Sequence, residues 1–367
     1  MNKISRMKIV IVHPRYCIRA QKQLEGLLKN RDLEIILVIN DKKYGRSVSE
    51  FVRRRVKLYS IKFGEGWLRK RRLINLMEKV TPGAQLIHCH NEPDFHVAQI
   101  LERFKSEIPI IYDIHDLASM RNAVEIPDEA YSYQNADAII HVSDQLLFHS
   151  EKKYGPQNAH VIMSLPSRNN IIVNRKEQKL KGPFTFVYQG GLIDVENEKD
   201  TNFSYRHYLD IFRSILEEGH SVHAFPNIVH SRLPAYQQLE KEFPTFKLQK
   251  KLPYAELMKA LGGYDFGIVG FNMDYALPDS TRKYLHAALG NKLFDYIFAG
   301  IPVVTIDADA MTDFTLKHKC GIDKRPDETW SEAIERGTFR SDLDILAEEF
   351  CMENQIKKLW DIYTGIT

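Results

Sequence analysis

Apolar positions in this chain fall into short unbroken runs separated by stretches of helical period. The first run, residues 8–13, contains Ile9-Val10-Ile11-Val12 and stops at His13-Pro14. Runs of this kind read as strands covered on both faces, the pattern of a parallel sheet. Comparable runs predict strands at 34–39, 56–63, 85–89, 108–114 and 138–142, with helical segments such as 98–104 between them. A second series predicts strands at 184–188, 221–225, 246–249, 266–269 and 302–306, with helices including 206–217 and 291–299. Strand alternating with helix, twice over, predicts an α/β protein of two Rossmann-like domains. Each predicted strand ends in polar residues. Ligands of open α/β sheets bind beyond the carboxyl ends of the strands, so function is sought there.

Between the two series the pattern breaks at Ser164-Leu165-Pro166-Ser167-Arg168-Asn169-Asn170 and in a Lys-rich stretch that runs to Gly182-Pro183. The expected domains are 1–165 and 184–350, joined by a linker at 166–183. Residues 351–367 form a C-terminal helix whose Ile356, Leu359, Trp360 and Tyr363 share one apolar face, and the N-terminal domain is a candidate to receive it. A chain of 367 residues suits two cores at roughly 150 residues each.

Charge changes the picture in one place. The net charge of +3 conceals thirteen Lys/Arg against Glu50, Glu65 and Glu78 within 42–79, about +10, with about −7 left for the rest. Such a block suits a solvated face or an anionic membrane surface. No nucleic-acid partner is expected, because RNP, zinc-finger and helix-turn-helix signatures are lacking. The scattered Cys17, Cys89, Cys320 and Cys351 form no CxxC pair, which fits a reduced compartment. No run approaches the ~18 apolar residues needed to cross a bilayer. The expected location is cytoplasmic, peripheral to the inner face of the membrane if the basic segment docks there.

Candidate chemistry concentrates in a few strand ends. Gly290-Asn291-Lys292-Leu293-Phe294-Asp295 opens a predicted helix that leads into Gly300-Ile301-Pro302-Val303-Val304, where a strand begins. A helix start presents free N–H groups to a diphosphate, and Lys292 adds a point charge on the first turn. Asp295, one turn later, can accept two hydrogen bonds from vicinal hydroxyls. A lone Lys and Asp at this spacing equally suit any amphipathic helix; the strand start behind them favours a binding role. The paired glycines of Tyr188-Gln189-Gly190-Gly191-Leu192 either bring backbone N–H groups to a phosphate or form a simple tight turn. No G-x-G-x-x-G follows either domain's first strand, which argues against a nicotinamide dehydrogenase. In the first half His13, His90 and His115 stand at successive strand ends. His88, His90 and His96 with Glu92 and Asp94 imitate a metal-ligand set but follow no zinc-site spacing, and Asp307-Ala308-Asp309 has the Asp-x-Asp form that can hold a divalent ion on a diphosphate, a three-residue pattern that also arises by chance. Neither a metal nor a cofactor is expected.

Residue by residue, 290–304 resembles the donor-site helix and following strand of GT-B glycosyltransferases, above all family 4 (glycosyl transferases group 1). Residues 108–116, Ile110-Ile111-Tyr112-Asp113-Ile114-His115-Asp116 among them, are similar to the strand and His-Asp turn that this family places at the floor of its interdomain cleft. The resemblance implies two Rossmann-like domains facing each other across a cleft. It implies a sugar passed from a nucleoside-diphosphate sugar on the C-terminal domain to a hydroxyl of a glycan or lipid-linked glycan on the N-terminal domain, in cell-envelope or capsular polysaccharide assembly. Asp295 then grips the ribose diol. Asn291, Lys292, Gly190 and Gly191 serve the diphosphate, and His115 lies beside the transferred sugar. His90, Arg15, Arg19 and Asp116 belong to the acceptor side. Family membership implies retention of configuration; an inverting enzyme needs an in-line base, for which His13 is the candidate.

The sequence also departs from that family. Many members carry two glutamates separated by seven residues; Asp295 replaces the second and Ala287 falls on the first. The usual Arg after the first strand of the second domain is Gly191 here, which leaves Lys292 to carry the phosphate charge. The same architecture also admits a sugar-nucleotide epimerase or phosphorylase, and the departures at Ala287 and Gly191 keep open an inert sugar-nucleotide-binding subunit.

Overall fold

The structure is a computed structural model that describes residues 6–30, 32–40, 48–172, 181–195 and 201–367. The start of the basic segment, 42–47, and residues 173–180 of the expected linker lie outside the described residues. The chain divides into two compact units, Met1–Ser167 with Met352–Thr367, and Arg168–Cys351.

In the first unit, seven strands form one sheet: β1 Met7–His13, β2 Leu33–Asn40, β3 Lys57–Ile61, β4 Leu86–His90, β5 Ile110–Ile114, β6 Ala138–His141 and β7 Ala159–Val161. Their order is β3-β2-β1-β4-β5-β6-β7 and every pairing is parallel. Ile9, Val10, Ile11 and Val12 are all buried, as a strand covered on both faces requires. The helix Met352–Ile366 completes this core with Leu359, Ile362 and Tyr363. It lies close to the helix Ile18–Leu27 because Gly26 has no side chain; a Cβ there would stand 2.4 Å from Ile356 Cγ1. The chain reverses direction across the sheet between β1 and β4. That switch point is where a doubly wound sheet opens a crevice, and it carries His13, His88 and His90.

The second unit has six strands: β8 Thr185–Gly190, β9 Ser221–Pro226, β10 Phe246–Leu248, β11 Phe266–Gly270, β12 Val303–Ile306 and β13 Gly321–Asp323. They run parallel in the order β10-β9-β8-β11-β12-β13. Here the switch point falls between β8 and β11, directly beside Gly190. One contact sets the helix Asn291–Phe298 against it. A Cβ on Gly267 would fall 2.4 Å from the Tyr296 ring, so the bare glycine lets that ring lie across β11. The Tyr296 hydroxyl then accepts from Gln189 N–H at 2.9 Å and donates to the Val187 carbonyl at 3.2 Å. The helix is thereby locked in register with the end of β8.

Strands β7 and β13 were not predicted. Each is three residues long and lies at a sheet edge, so neither carries the apolar run that marks an interior strand. The predicted strand at 56–63 is shorter, at Lys57–Ile61, and the predicted helix at 206–217 begins at Leu209, after a 3₁₀ turn that ends in Arg206. No helix among the described residues is long and apolar enough to cross a membrane.

Candidate functional site

Two clusters stand at the two switch points, one in each unit. In the second unit the locked helix brings Asp295 to the end of β8. Its Oδ2 accepts from Gln189 Nε2 at 3.0 Å and its Oδ1 from the Tyr254 hydroxyl at 2.7 Å, and the side chain is 6% exposed. A buried carboxylate needs such donors to remain ionised, and two of them fix the plane in which further hydrogen bonds can be accepted. Lys292 lies 4.2 Å from the centroid of the Tyr188 ring and 5.5 Å from that of Tyr208. Burial, and next the nearby Arg206, pull its ammonium down to about 7. Gly190 has φ +131°, a conformation only glycine adopts readily, and its Cα faces Lys292 Nζ.

Arg206 was not anticipated. A Cβ on Gly191 would sit 3.2 Å from Arg206 Cδ and Nη1, so the guanidinium occupies the space that a residue-191 side chain would fill. The positive charge missing at position 191 is supplied from fifteen residues further along the chain. Neither Lys292 nor Arg206 has an acidic partner among the described residues. Two basic side chains at a glycine turn, with no carboxylate beside them among the described residues, suit an anion. Asn291 is exposed at the helix start beside them, preceded by Gly290 as N-cap.

In the first unit the histidines gather around one carboxylate that sequence reasoning missed. Asp113, fully buried at 0% exposure, accepts from Arg19 at 2.8 Å and from Gln23 Nε2 at 3.0 Å, and lies 3.2 Å from His88 Nε2. Burial by itself raises this carboxyl; Arg19, His90 and His88 outweigh it and hold it well below the usual carboxylate range. Arg19 was expected among the acceptor contacts. It is instead spent on Asp113 and on the Ile162 carbonyl, inside the core. An arginine buried with its own counter-ion is a structural element of the sheet end.

Above this base His90 Nδ1 and His115 Nε2 are 2.8 Å apart, so one of them carries the shared proton. Cys17 Sγ lies 3.3 Å from His13 Nε2 and 3.6 Å from His115 Nδ1. Burial is the main reason that His13 and His90 titrate well below the usual histidine range and that His115 falls to about 4. His13, His90 and His115 are therefore neutral near pH 7, and His115 is the most exposed of the three. His88 Nδ1 meets the Tyr363 hydroxyl at 2.6 Å, which ties the C-terminal helix to the cluster.

Ligand atoms of His13, His90 and His115, and of His88, His90 and Asp113, lie within 4.8 Å of one another. The His13 and His90 rings are stacked with an interplanar angle of 14°, as are His88 and His90. His115 stands edge-on to both His13 and His90, at 83° and 74°, and Asp113 is ion-paired with Arg19. Of the metal sets weighed from sequence, His96 is turned to the Pro93 carbonyl and Asp309 to His286.

Arg15 is exposed and lines two adjoining cavities of about 530 and 320 Å³, which share Glu65, Pro93 and Phe95. Asp116 at the rim accepts from Arg121, whose other Nη binds Glu92, both at 2.7 Å. Of the residues named from sequence, His13, His90 and His115 thus meet in one cluster, with Arg15 and Asp116 on the neighbouring rim. Gly190, Gly191, Asn291, Lys292 and Asp295 meet in the other. Asp113, Gln189, Tyr254 and Arg206 were missed, because each is joined to its site through a partner distant in sequence.

Residues 23–163 match the family described as Glycosyltransferase Family 4. No curated protein sequence matches the chain. Among solved structures, sucrose-phosphate synthase from Thermosynechococcus elongatus is similar with a TM-score of 0.70 at 12% identity, over 98% of this chain and 99% of that one. A glycosyltransferase from Rickettsia africae ESF-5 is similar with a TM-score of 0.68 at 11% identity, over 98% of each chain. UDP-GlcNAc 2-epimerase from Neisseria meningitidis, bound to UDP-GlcNAc, is similar with a TM-score of 0.60 at 11% identity, over 97% and 99%. The match to Glycosyltransferase Family 4 thus covers residues 23–163, within the first unit, and the likeness to solved structures over almost the entire chain shows a GT-B fold of two parallel α/β units.

Proposed function

We propose that the chain transfers a sugar from a nucleoside-diphosphate sugar, held by the Arg168–Cys351 unit, to a hydroxyl of a glycan or lipid-linked glycan acceptor. The observation that carries this reading is the pairing of a buried, oriented carboxylate with two basic side chains, Lys292 and Arg206, that have no acidic partner among the described residues, at one switch point. Asp295 suits a ribose diol, and Lys292 with Arg206 and the Gly190-Gly191 turn suits a diphosphate. Departure of that diphosphate leaves positive character on the sugar and negative charge on the leaving group. Stabilising the latter is the main catalytic demand, and the two cations meet it without a metal. On the acceptor side, the cavities beside Arg15 and the neutral His115 suit a polyhydroxylated ligand. The pathway proposed is polysaccharide assembly, with retention of configuration.

The test is calorimetric titration of UDP, GDP, ADP, CDP and dTDP into the wild-type chain and Asp295→Ala. One nucleotide is expected to bind selectively, and the variant to bind it ~10–100-fold more weakly, as loss of hydrogen bonds to a charged group implies. If no nucleotide binds at millimolar concentration, the fold is shared without the function. A second reading, epimerisation of the nucleotide sugar, is favoured by the epimerases of like fold. Conversion of the donor in the absence of any acceptor would select it.

A further inference from the structure

The helix Trp67–Val80 in the first unit has two unlike faces. Leu73, Met77 and Val80 are buried, while Leu68, Arg71, Arg72, Asn75 and Lys79 are exposed. Spacings of three and four residues make the second set one continuous outward stripe. Its first turn is unusual, because Trp67 is 68% and Leu68 63% exposed. An indole beside an isobutyl group, both bare, is a tip that water does not favour. Arg71, Arg72 and Lys79 follow on the same stripe, exposed and without an ion pair among the described residues, whereas Arg69 turns back over Gly64 and lines the cavity beside Arg15. Of the nearby acids, Glu50 is paired with Arg54, Glu78 with Arg103 and Glu102 with Lys70, which leaves Glu65, exposed just before the helix, against these three cations.

We propose that this helix docks the first unit on an anionic lipid bilayer, with Trp67 and Leu68 entering the interface and Arg71, Arg72 and Lys79 meeting lipid phosphates. The chemistry favours a bilayer over a nucleic acid. The Arg71 guanidinium lies 5.4 Å from the centroid of the Trp67 ring and competes for the face on which a base would stack. Leu68 has no stacking face at all, whereas an aliphatic group beside an indole suits the boundary between headgroups and acyl chains. Docking goes beyond the transfer reaction and is read without turnover. Its failure leaves that reaction intact, and a failure of nucleotide binding leaves docking intact.

The test is sedimentation of the full chain with phosphatidylcholine vesicles and with vesicles containing about one third phosphatidylglycerol, at physiological ionic strength. Binding is expected only to the anionic vesicles, with a blue shift of tryptophan emission. Trp67→Ser/Leu68→Ser is expected to weaken it by about tenfold or more and to abolish the shift. Arg71→Gln/Arg72→Gln/Lys79→Gln is expected to weaken it comparably, which covers the case of a serine variant that folds poorly. The proposal is overturned if anionic vesicles fail to bring down the chain at low salt, or if the double serine variant binds as wild type. Tighter binding of a single-stranded RNA, with quenching of Trp67, would overturn it in favour of a nucleic-acid surface.

Discussion

Lys292 is the residue whose environment makes the sharpest demand. Its ammonium, between two tyrosine rings and near Arg206, is held at about 7 by burial and by that like charge. Above pH 7 it is therefore neutral when the site holds no anion. A bound diphosphate favours the charged form and returns the proton, so binding takes up a proton and weakens as pH rises. The slope approaches about tenfold per pH unit between 7 and the higher value in the complex. Calorimetry in two buffers of different ionisation enthalpy, from pH 6.5 to 9, reads both effects. Lys292→Met is expected to remove proton uptake together with the pH slope; binding that is flat with pH in the wild-type chain would exclude this role. Lys292 and Asp295 were legible in the sequence because both sit on one helix with a distinctive strand start behind it. Arg206 was not, because only folding brings it over Gly191.

At the scale of elements, one glycine governs the placement of that helix. Gly267 lets the Tyr296 ring cross β11 and reach the backbone of β8. Gly267→Ala puts a methyl group 2.4 Å from the ring, where neither strand nor helix can yield cheaply. The expected loss is about 1–3 kcal/mol by urea unfolding, and nucleotide affinity falls with it, because Asp295 and Lys292 ride on the displaced helix. Tyr296→Phe keeps the ring and loses only its hydrogen bonds, so it is expected to retain more affinity than Gly267→Ala. If Gly267→Ala binds nucleotide as wild type does, the helix is positioned by other contacts. The interior strands were readable because burial on both faces demands unbroken β-branched runs. Edge strands β7 and β13, buried less and paired once, have no such demand and left no signal.

At the scale of the whole molecule, the chain has two cores and crosses from the first to the second and back, since Met352–Thr367 belongs to the first unit. Scanning calorimetry is expected to resolve two transitions. A saturating nucleotide diphosphate should raise only that of the Arg168–Cys351 unit, by about 2.7 kcal/mol at a hundredfold excess over Kd. Equal shifts in both would mean that the units unfold as one. By itself the sequence determined the α/β class, the doubling of the fold and the helix Asn291–Phe298, because hydrophobic period and local backbone chemistry act over a few neighbouring residues. Only the tertiary structure decided which buried charge neutralises which. Asp113 takes Arg19 into the core, Gln189 and Tyr254 hold Asp295, and Arg206 makes good the charge absent at Gly191. Such pairings depend on distances in space, and the order of residues along a chain does not contain them until strands and helices have packed.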